Sequence, residues 1–349
     1  MIKIENIYYM ITYAFRTLGR KGYKNIQPEK FETIQCLLAE LLHLEMSRQI
    51  KLGLAKDYQE VTEALIMPRG KINLSDSIKQ NSHIKKKLIC NRDEYLENTL
   101  INKIVKSTIR SLLFSTQVAE PQKQHLKKLL FYFDNVNEVN LKSIKWSSLR
   151  VAKHHSSYRV ILAICEFVSK GYLLTEKEGT NKVSSTLDDQ ALHTLYERFV
   201  LEYFKKHHPQ VKAASPTIDW DITAGESAML PRMKTDITLT CRGVSLIIDT
   251  KFYSQTMQTH SLYGTKTIHS NNLYQLHTYV TNKAARFQGT VEGMLLYAKT
   301  NEDIVPNQTY FISGKKITVT TLDLSGEFHL IKKKLDAVAG ELLNSGGIL

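Results

Sequence analysis

Residues 230–253, LPRMKTDITLTCRGVSLIIDTKFY, hold the side chains best suited to chemistry. Two β-compatible runs, 235–241 and 244–250, flank Arg242-Gly243 and read as a hairpin. In the first run a period of two sets Ile237, Leu239 and Cys241 on one face. Asp236, Thr238 and Thr240 fall on the other, which is expected to be the polar one. Asp249 and Lys251 are two apart and project from one side of the second strand's end. A two-residue turn would pair Cys241 with Val244 and bring Asp236 opposite Asp249, with Cβ atoms roughly 4.5–5.5 Å apart. Carboxylates so placed repel unless a divalent cation lies between them. Oxygen ligands suit Mg²⁺ or Mn²⁺, which retain waters and can be shared with a phosphodiester. Lys251 would then stand near the attacking water or the charge developing on phosphorus. The implied chemistry is metal-assisted phosphodiester hydrolysis; the alternative is an edge hairpin whose charges face water.

Three residues extend the group. Glu197, between Tyr196 and Arg198 in an expected helix from Asp189 to about Lys206, can approach the metal site from the side or lie exposed. Gln275 and Tyr279, four apart in NNLYQLHTYV, share one helix face. A glutamine there can orient a water or a phosphate. From residue 251 to 290 the only charged side chains are Lys251, Lys266, Lys283 and Arg286, with no acid among them. Lys266, Lys283 and Arg286 are candidates for tracking a nucleic-acid backbone.

The elements that must position these residues follow from patterning. A chain of 349 residues is long enough for two domains. Residues 30–50, 93–115 and 157–168 have helical apolar spacing, whereas 57–74 place Pro68 and Gly70 between short β-compatible runs, as in a hairpin or projection. The polar stretch 174–188 is the expected connector. Beyond it the pattern becomes α/β, with strands near 235–241, 244–250 and 293–298, a helix near 270–285 and a closing helix near 327–343. The expected architecture is therefore α/β, α+β overall, with a mainly helical domain at 1–180 and an α/β domain at 181–349.

Composition narrows the function. The formal charge of +13 favours a polyanionic partner. No apolar run approaches the length of a membrane span. Glu5 and Asn6 break the apolar opening, so no signal-peptide core is expected. Cys36, Cys90, Cys165 and Cys241 lack zinc-ligand spacing, and a reducing cytoplasm is the expected compartment. Gly70-Lys71 and Gly314-Lys315 lack the Ser/Thr of a phosphate-binding loop, so no nucleotide site is expected in this chain. The pairs His154-His155 and His207-His208 read as surface residues, Gly264-Thr265-Lys266 as a turn, and Tyr8-Tyr9 as one packed and one rim ring.

PRMKTDITL, IIDTKFY and HSNNLYQLHTYV together resemble the PD-(D/E)xK nuclease core. With NIYYMITYAF and IMPRGKINLSDSI added, most of the chain resembles the McrC family, nuclease subunits of McrBC-type, 5-methylcytosine-specific restriction systems. The resemblance implies a restriction-endonuclease-like mixed sheet flanked by helices, preceded by a helical domain with a β-hairpin finger at about 57–90. It implies Asp236, Asp249 and the Thr250 carbonyl as metal ligands, Lys251 as the catalytic lysine, and Gln275 and Tyr279 as accessory residues. Glu197 carries over less directly. It further implies DNA as substrate and a GTP-hydrolysing AAA+ partner that the N-terminal domain contacts and stimulates, with Arg69 and Lys71 as contact candidates. Additional restriction subunits and an unmethylated target are compatible with the same residues. A non-catalytic regulator of an AAA+ ring would need none of Asp236, Asp249 and Lys251, and a stand-alone repair nuclease would leave residues 1–170 without a role.

Overall fold

The computed structural model describes residues 2–15, 23–151, 155–175, 189–226, 228–252, 257–259, 266–299 and 305–345. The chain forms two compact units, one comprising Met1–Glu32 with Ser184–Leu349 and the other Thr33–Val183. The expected connector from 176 onward, the division after residue 180, the Gly264-Thr265 turn and His154 lie outside the described residues. The first 32 residues group with the C-terminal part rather than with the helical domain in which the sequence reading put them. The cause is helix α1 (Ile4–Ala14), which buries Ile7, Tyr8, Ile11 and Tyr13. A short helix gains stability mainly by docking such a face, and the pattern alone does not say against what.

In the unit Thr33–Val183, the helices are α2 (Ile34–Leu52), α3 (Leu74–Lys79), α4 (Leu100–Phe114), α5 (Glu120–Leu130) and α6 (Tyr158–Thr175). The Thr33 hydroxyl caps α2 by accepting the Cys36 amide at 3.1 Å. Strands β1 (Asp57–Leu65), β2 (Lys71–Ile72) and β3 (Leu88–Leu96) form a sheet in the order β1-β3-β2. The projection is thus longer than the sequence suggests. β1 pairs along its whole length with β3, from Asp57↔Leu96 to Leu65↔Leu88, and β2 pairs with β3 rather than β1. Residues 93–96 are consequently strand and not the start of a helix; α4 begins only after Thr99, whose hydroxyl accepts the Asn102 amide. Cross-strand pairing here overrides the helical spacing of Leu96 and Leu100.

The other unit contains α1, α7 (Asp189–His207), a six-stranded sheet, α8 (Ser270–Arg286) and α9 (Phe328–Ser345). The sheet strands are β4 (Lys212–Ala214), β7 (Ile237–Cys241), β8 (Val244–Lys251), β11 (Thr290–Ala298), β12 (Gln308–Ile312) and β13 (Lys315–Leu322). Two short pairs flank it, β5 (Thr217–Ile218) with β6 (Met233–Lys234) and β9 (Met257–Thr259) with β10 (Lys266–Ile268). The sheet order is β12-β13-β11-β8-β7-β4, with β8, β11 and β13 parallel and the other neighbours antiparallel. A parallel β8–β11 pair requires a crossover, which α8 supplies. Leu276 and Val280 of α8 pack on Ile247, Val291, Leu295 and Ile317 of the sheet.

Within this unit, Asn6 Nδ2 donates to the carbonyls of Leu324 and Gly326 at 2.7 and 2.9 Å. Tyr9 stacks on Phe328 with ring centroids 4.0 Å apart, while Tyr8 is buried, as the adjacent-tyrosine pattern suggests. His207 and His208 are not free surface residues. His207 Nε2 meets the Tyr13 hydroxyl at 2.8 Å and His208 Nε2 meets Asp336 at 2.8 Å, so both tie α7 to its neighbouring helices.

Candidate active site

β7 and β8 meet in the expected register, Cys241↔Val244 through Ile237↔Ile248. Arg242 and Gly243 have φ of 46° and 76°, the pair of positive values that a primed two-residue turn needs. Glycine meets that demand without strain; Arg242 is the unusual occupant. The expected polar face of β7 is not solvated, because Thr238 is 3% exposed and its hydroxyl meets that of Thr235 at 3.0 Å. Ile237, Thr238 and Leu239 are all buried, so alternation there marks two buried surfaces of different polarity, while Thr240 and Cys241 are partly exposed. β8 is buried throughout, and its end carries Asp249 at 1%, Thr250 at 0% and Lys251 at 8% exposure.

The ladder stops at Ile237, one residue short of Asp236. Freed from the pleat, the Asp236 carboxylate turns to the strand edge, where its Oδ2 accepts the Thr250 amide at 2.8 Å and the Thr250 hydroxyl at 2.9 Å. The Thr250 carbonyl lies on the same edge as its own amide. It accepts a hydrogen bond from His193 Nε2 at 2.9 Å, which fixes the proton on that nitrogen. A carbonyl has two lone pairs, so one remains for another partner.

On the other side of β8, Lys251 Nζ forms an ion pair with Asp249 Oδ2 at 2.9 Å and donates to Gln275 Oε1 at 3.2 Å. Gln275 Nε2 in turn donates to the Tyr279 hydroxyl at 3.1 Å. The i,i+4 spacing on α8 and the strand-end lysine thus produce one continuous chain, Asp249–Lys251–Gln275–Tyr279. Asp249 Oδ1 is buried without a hydrogen-bond partner among the described residues. Burial, and the nearby Asp236 charge, push the Asp249 carboxyl up to about 6 against the pull of Lys251. Glu197 on α7 belongs to the same electrostatic group. Burial raises it to about 7, Asp236 and Asp249 add repulsion, and Lys234 and Lys251 oppose it.

The structure therefore gathers Asp236, Asp249, Thr250, Lys251, Gln275 and Tyr279, with Glu197 within electrostatic reach. Sequence reasoning missed His193. Its signal was available: His193 and Glu197 are four apart on α7 and share a face. The basic candidates are less free than their charges suggest. Arg286 donates to the Trp220 carbonyl at 2.9 Å and pairs with Asp219 at 3.5 Å, and Lys283 lies over the Phe287 ring at 5.5 Å. The Lys266 side chain lies outside the described residues. Arg69 and Lys71 are exposed in the other unit.

A buried carboxylate with an orphaned oxygen, set beside a second carboxylate and a free carbonyl lone pair, is a donor set that fits a hard divalent cation. Fold and site define an α/β protein whose carboxylate–lysine cluster sits at the end of a central strand. The chain belongs to the family described as McrBC 5-methylcytosine restriction system component, whose profile matches residues 5–298. It is 25% identical over 347 residues to an Escherichia coli K12 protein described as the type IV methyl-directed restriction enzyme EcoKMcrBC, across 98% of this chain and 99% of that protein. Two solved assemblies from Thermococcus gammatolerans are also similar. One is a refined half-complex of McrB AAA+ hexamers with bound McrC, at 15% identity over 98% of this chain and 72% of that one, with a TM-score of 0.46. The other is a cryo-EM structure of the McrBC complex, at 18% identity over 58% of each chain, with a TM-score of 0.42.

A separate group, Glu40, His43 and His125, also has metal-ligand character but lies in the other unit. Among the described residues no helix is long and apolar enough to cross a membrane.

Proposed function

We propose that this chain is the endonuclease subunit of a restriction system, hydrolysing DNA phosphodiesters with Mg²⁺ or Mn²⁺ in complex with a GTP-hydrolysing AAA+ partner. The observation that carries the reading is the buried Asp249, with one oxygen on Lys251, the other without a partner, and Asp236 anchored beside it. A buried carboxylate whose one oxygen lacks a partner, with a second carboxylate close enough to repel it, is costly to keep ionised, and a bound divalent cation would offset that cost.

In this reading, Asp236, Asp249 and the Thr250 carbonyl hold the cation, in a core of the PD-(D/E)xK type. The bound cation supplies positive charge to the scissile phosphate and makes a nearby water more acidic. Lys251 pairs with Asp249 at 2.9 Å, and its ammonium would stand beside the charge developing on phosphorus. Gln275 steers the Lys251 ammonium through the bond at 3.2 Å, and Tyr279 fixes the Gln275 amide. His193 holds the Thr250 carbonyl in place. Glu197, poised near neutrality, accepts or returns a proton at the same site.

The β1–β3 projection, with exposed Arg69 and Lys71, is the proposed contact with the AAA+ ring, and the unit Thr33–Val183 the docking unit that stimulates its NTPase. The family membership supports DNA as substrate and the pairing with such a partner. The test is cleavage of methylated and unmethylated plasmids with Mg²⁺ and GTP, comparing wild type with Asp249→Ala, each with and without the neighbouring NTPase. Cutting that needs the partner and vanishes in the variant supports the reading, and the plasmid that is cut names the specificity. A variant that cuts as well as wild type makes the chain a regulator of the ring instead.

A further inference from the structure

The helical unit contains a cluster that the nuclease reading does not use. Glu40 and His43 lie three apart on α2 and share a face, and His125 reaches them from α5. Glu40 Oε1 is 3.7 Å from His43 Nδ1, and Glu40 Oε2 is 3.2 Å from His125 Nδ1. The two imidazoles stack with centroids 4.5 Å apart and planes 22° from parallel. Among the described residues no lysine or arginine pairs with Glu40. One ligand atom from each of the three side chains lies within 4.8 Å of the other two.

We propose that Glu40, His43 and His125 form a zinc site that clasps α2 to α5. Two imidazole nitrogens and one carboxylate oxygen are the donor set that borderline Zn²⁺ prefers, and hard Mg²⁺ does not compete for it. Zinc–ligand bonds of 2.0–2.1 Å set tetrahedral ligands roughly 3.4 Å apart, so the site must close by about 1.4 Å at its widest. The side chains are 23–40% exposed, which leaves them free to make that adjustment and leaves the fourth position to water. Glu-x-x-His on one helix, completed from a second helix, is an arrangement that helical bundles use for metals. Each imidazole would bind through Nδ1 in the tautomer that carries its proton on Nε2.

The test uses the full-length chain, titrated with Co²⁺ as a spectroscopic stand-in and then with Zn²⁺. Visible bands of tetrahedral Co²⁺, displaced by one equivalent of Zn²⁺ per chain, are expected. They should vanish in His125→Gln and in His43→Gln, each checked for folding by circular dichroism, and persist in Asp249→Asn. Zinc should also raise the thermal midpoint of wild type and leave His125→Gln unmoved. Absence of the bands, their survival in both histidine variants, or their loss in Asp249→Asn would overturn the proposal, the first of these leaving only a hydrogen-bonded clasp. The site is independent of the nuclease centre, so failure of either reading leaves the other standing.

Discussion

Replacing Asp249 with asparagine should make the metal-free protein more stable while removing its cleavage. Asp249 is 1% exposed, and its carboxyl sits at about 6 instead of the ordinary 3.8. At pH 8 the ionised group therefore destabilises the fold by roughly 3 kcal/mol relative to a neutral one, at 1.36 kcal/mol per pH unit. That value is net of the Lys251 attraction. Asparagine keeps the shape and removes the charge, but its amide leaves a buried donor where Oδ1 lacked a partner, taking back about 1–2 kcal/mol. The expected gain is thus about 1–2 kcal/mol, a cost of function that the wild type carries in its site. Because the chain has two units, a single global transition is not a clean measure. Urea unfolding in a Trp146→Phe background leaves Trp220 as the reporter, and it lies in the unit of the site. In EDTA at pH 8 the Asp249→Asn midpoint should exceed that of wild type, and saturating Mg²⁺ should raise only the wild type. A lower midpoint for the variant in EDTA, or an equal Mg²⁺ effect on both, would falsify the strained-carboxylate argument.

The pH dependence follows from the same groups. Asp249 and Glu197 have native values of about 6 and about 7 against ordinary values of 3.8 and 4.5. Between these limits the native state binds more protons than the unfolded one, so metal-free stability should rise as pH falls from 8 to 5, and a urea series that shows the opposite slope refutes it. Tyr279→Phe removes only the acceptor for Gln275 and is expected to slow cleavage roughly tenfold, with Gln275→Ala, which also releases Lys251, slower still; equal rates for all three proteins would argue against the relay. His193→Leu should weaken Mn²⁺ binding at least about tenfold, with His193→Gln recovering part of it, as read by titration with the full-length chain. Gly289 has φ of 143°, and a Cβ at this position would collide with the Gly243 carbonyl oxygen, a backbone atom that itself accepts the Thr290 amide. Gly289→Ala should therefore lower the stability of that unit by roughly 3 kcal/mol or more, seen as a lower urea midpoint for Trp220.

The sequence determined the local and the paired. Alternation in 235–241, the apolar run before Asp249 and the Arg242-Gly243 turn were enough to set the β7–β8 register, because a two-residue turn leaves only one pairing. The four-residue spacing of Gln275 and Tyr279 fixed their common helix face, because the helical period admits no other arrangement. What only the tertiary structure decided is long-range. That Asp236 leaves the pleat to take the Thr250 amide depends on where the ladder ends, and that His193 meets the Thr250 carbonyl depends on α7 packing beside β8. The pairing of β1 with β3 across an intervening helix, and the docking of Asn6 on a carbonyl 318 positions later, follow from which buried surfaces fit together. Periodicity records that a face is apolar; it does not record the surface that will cover it.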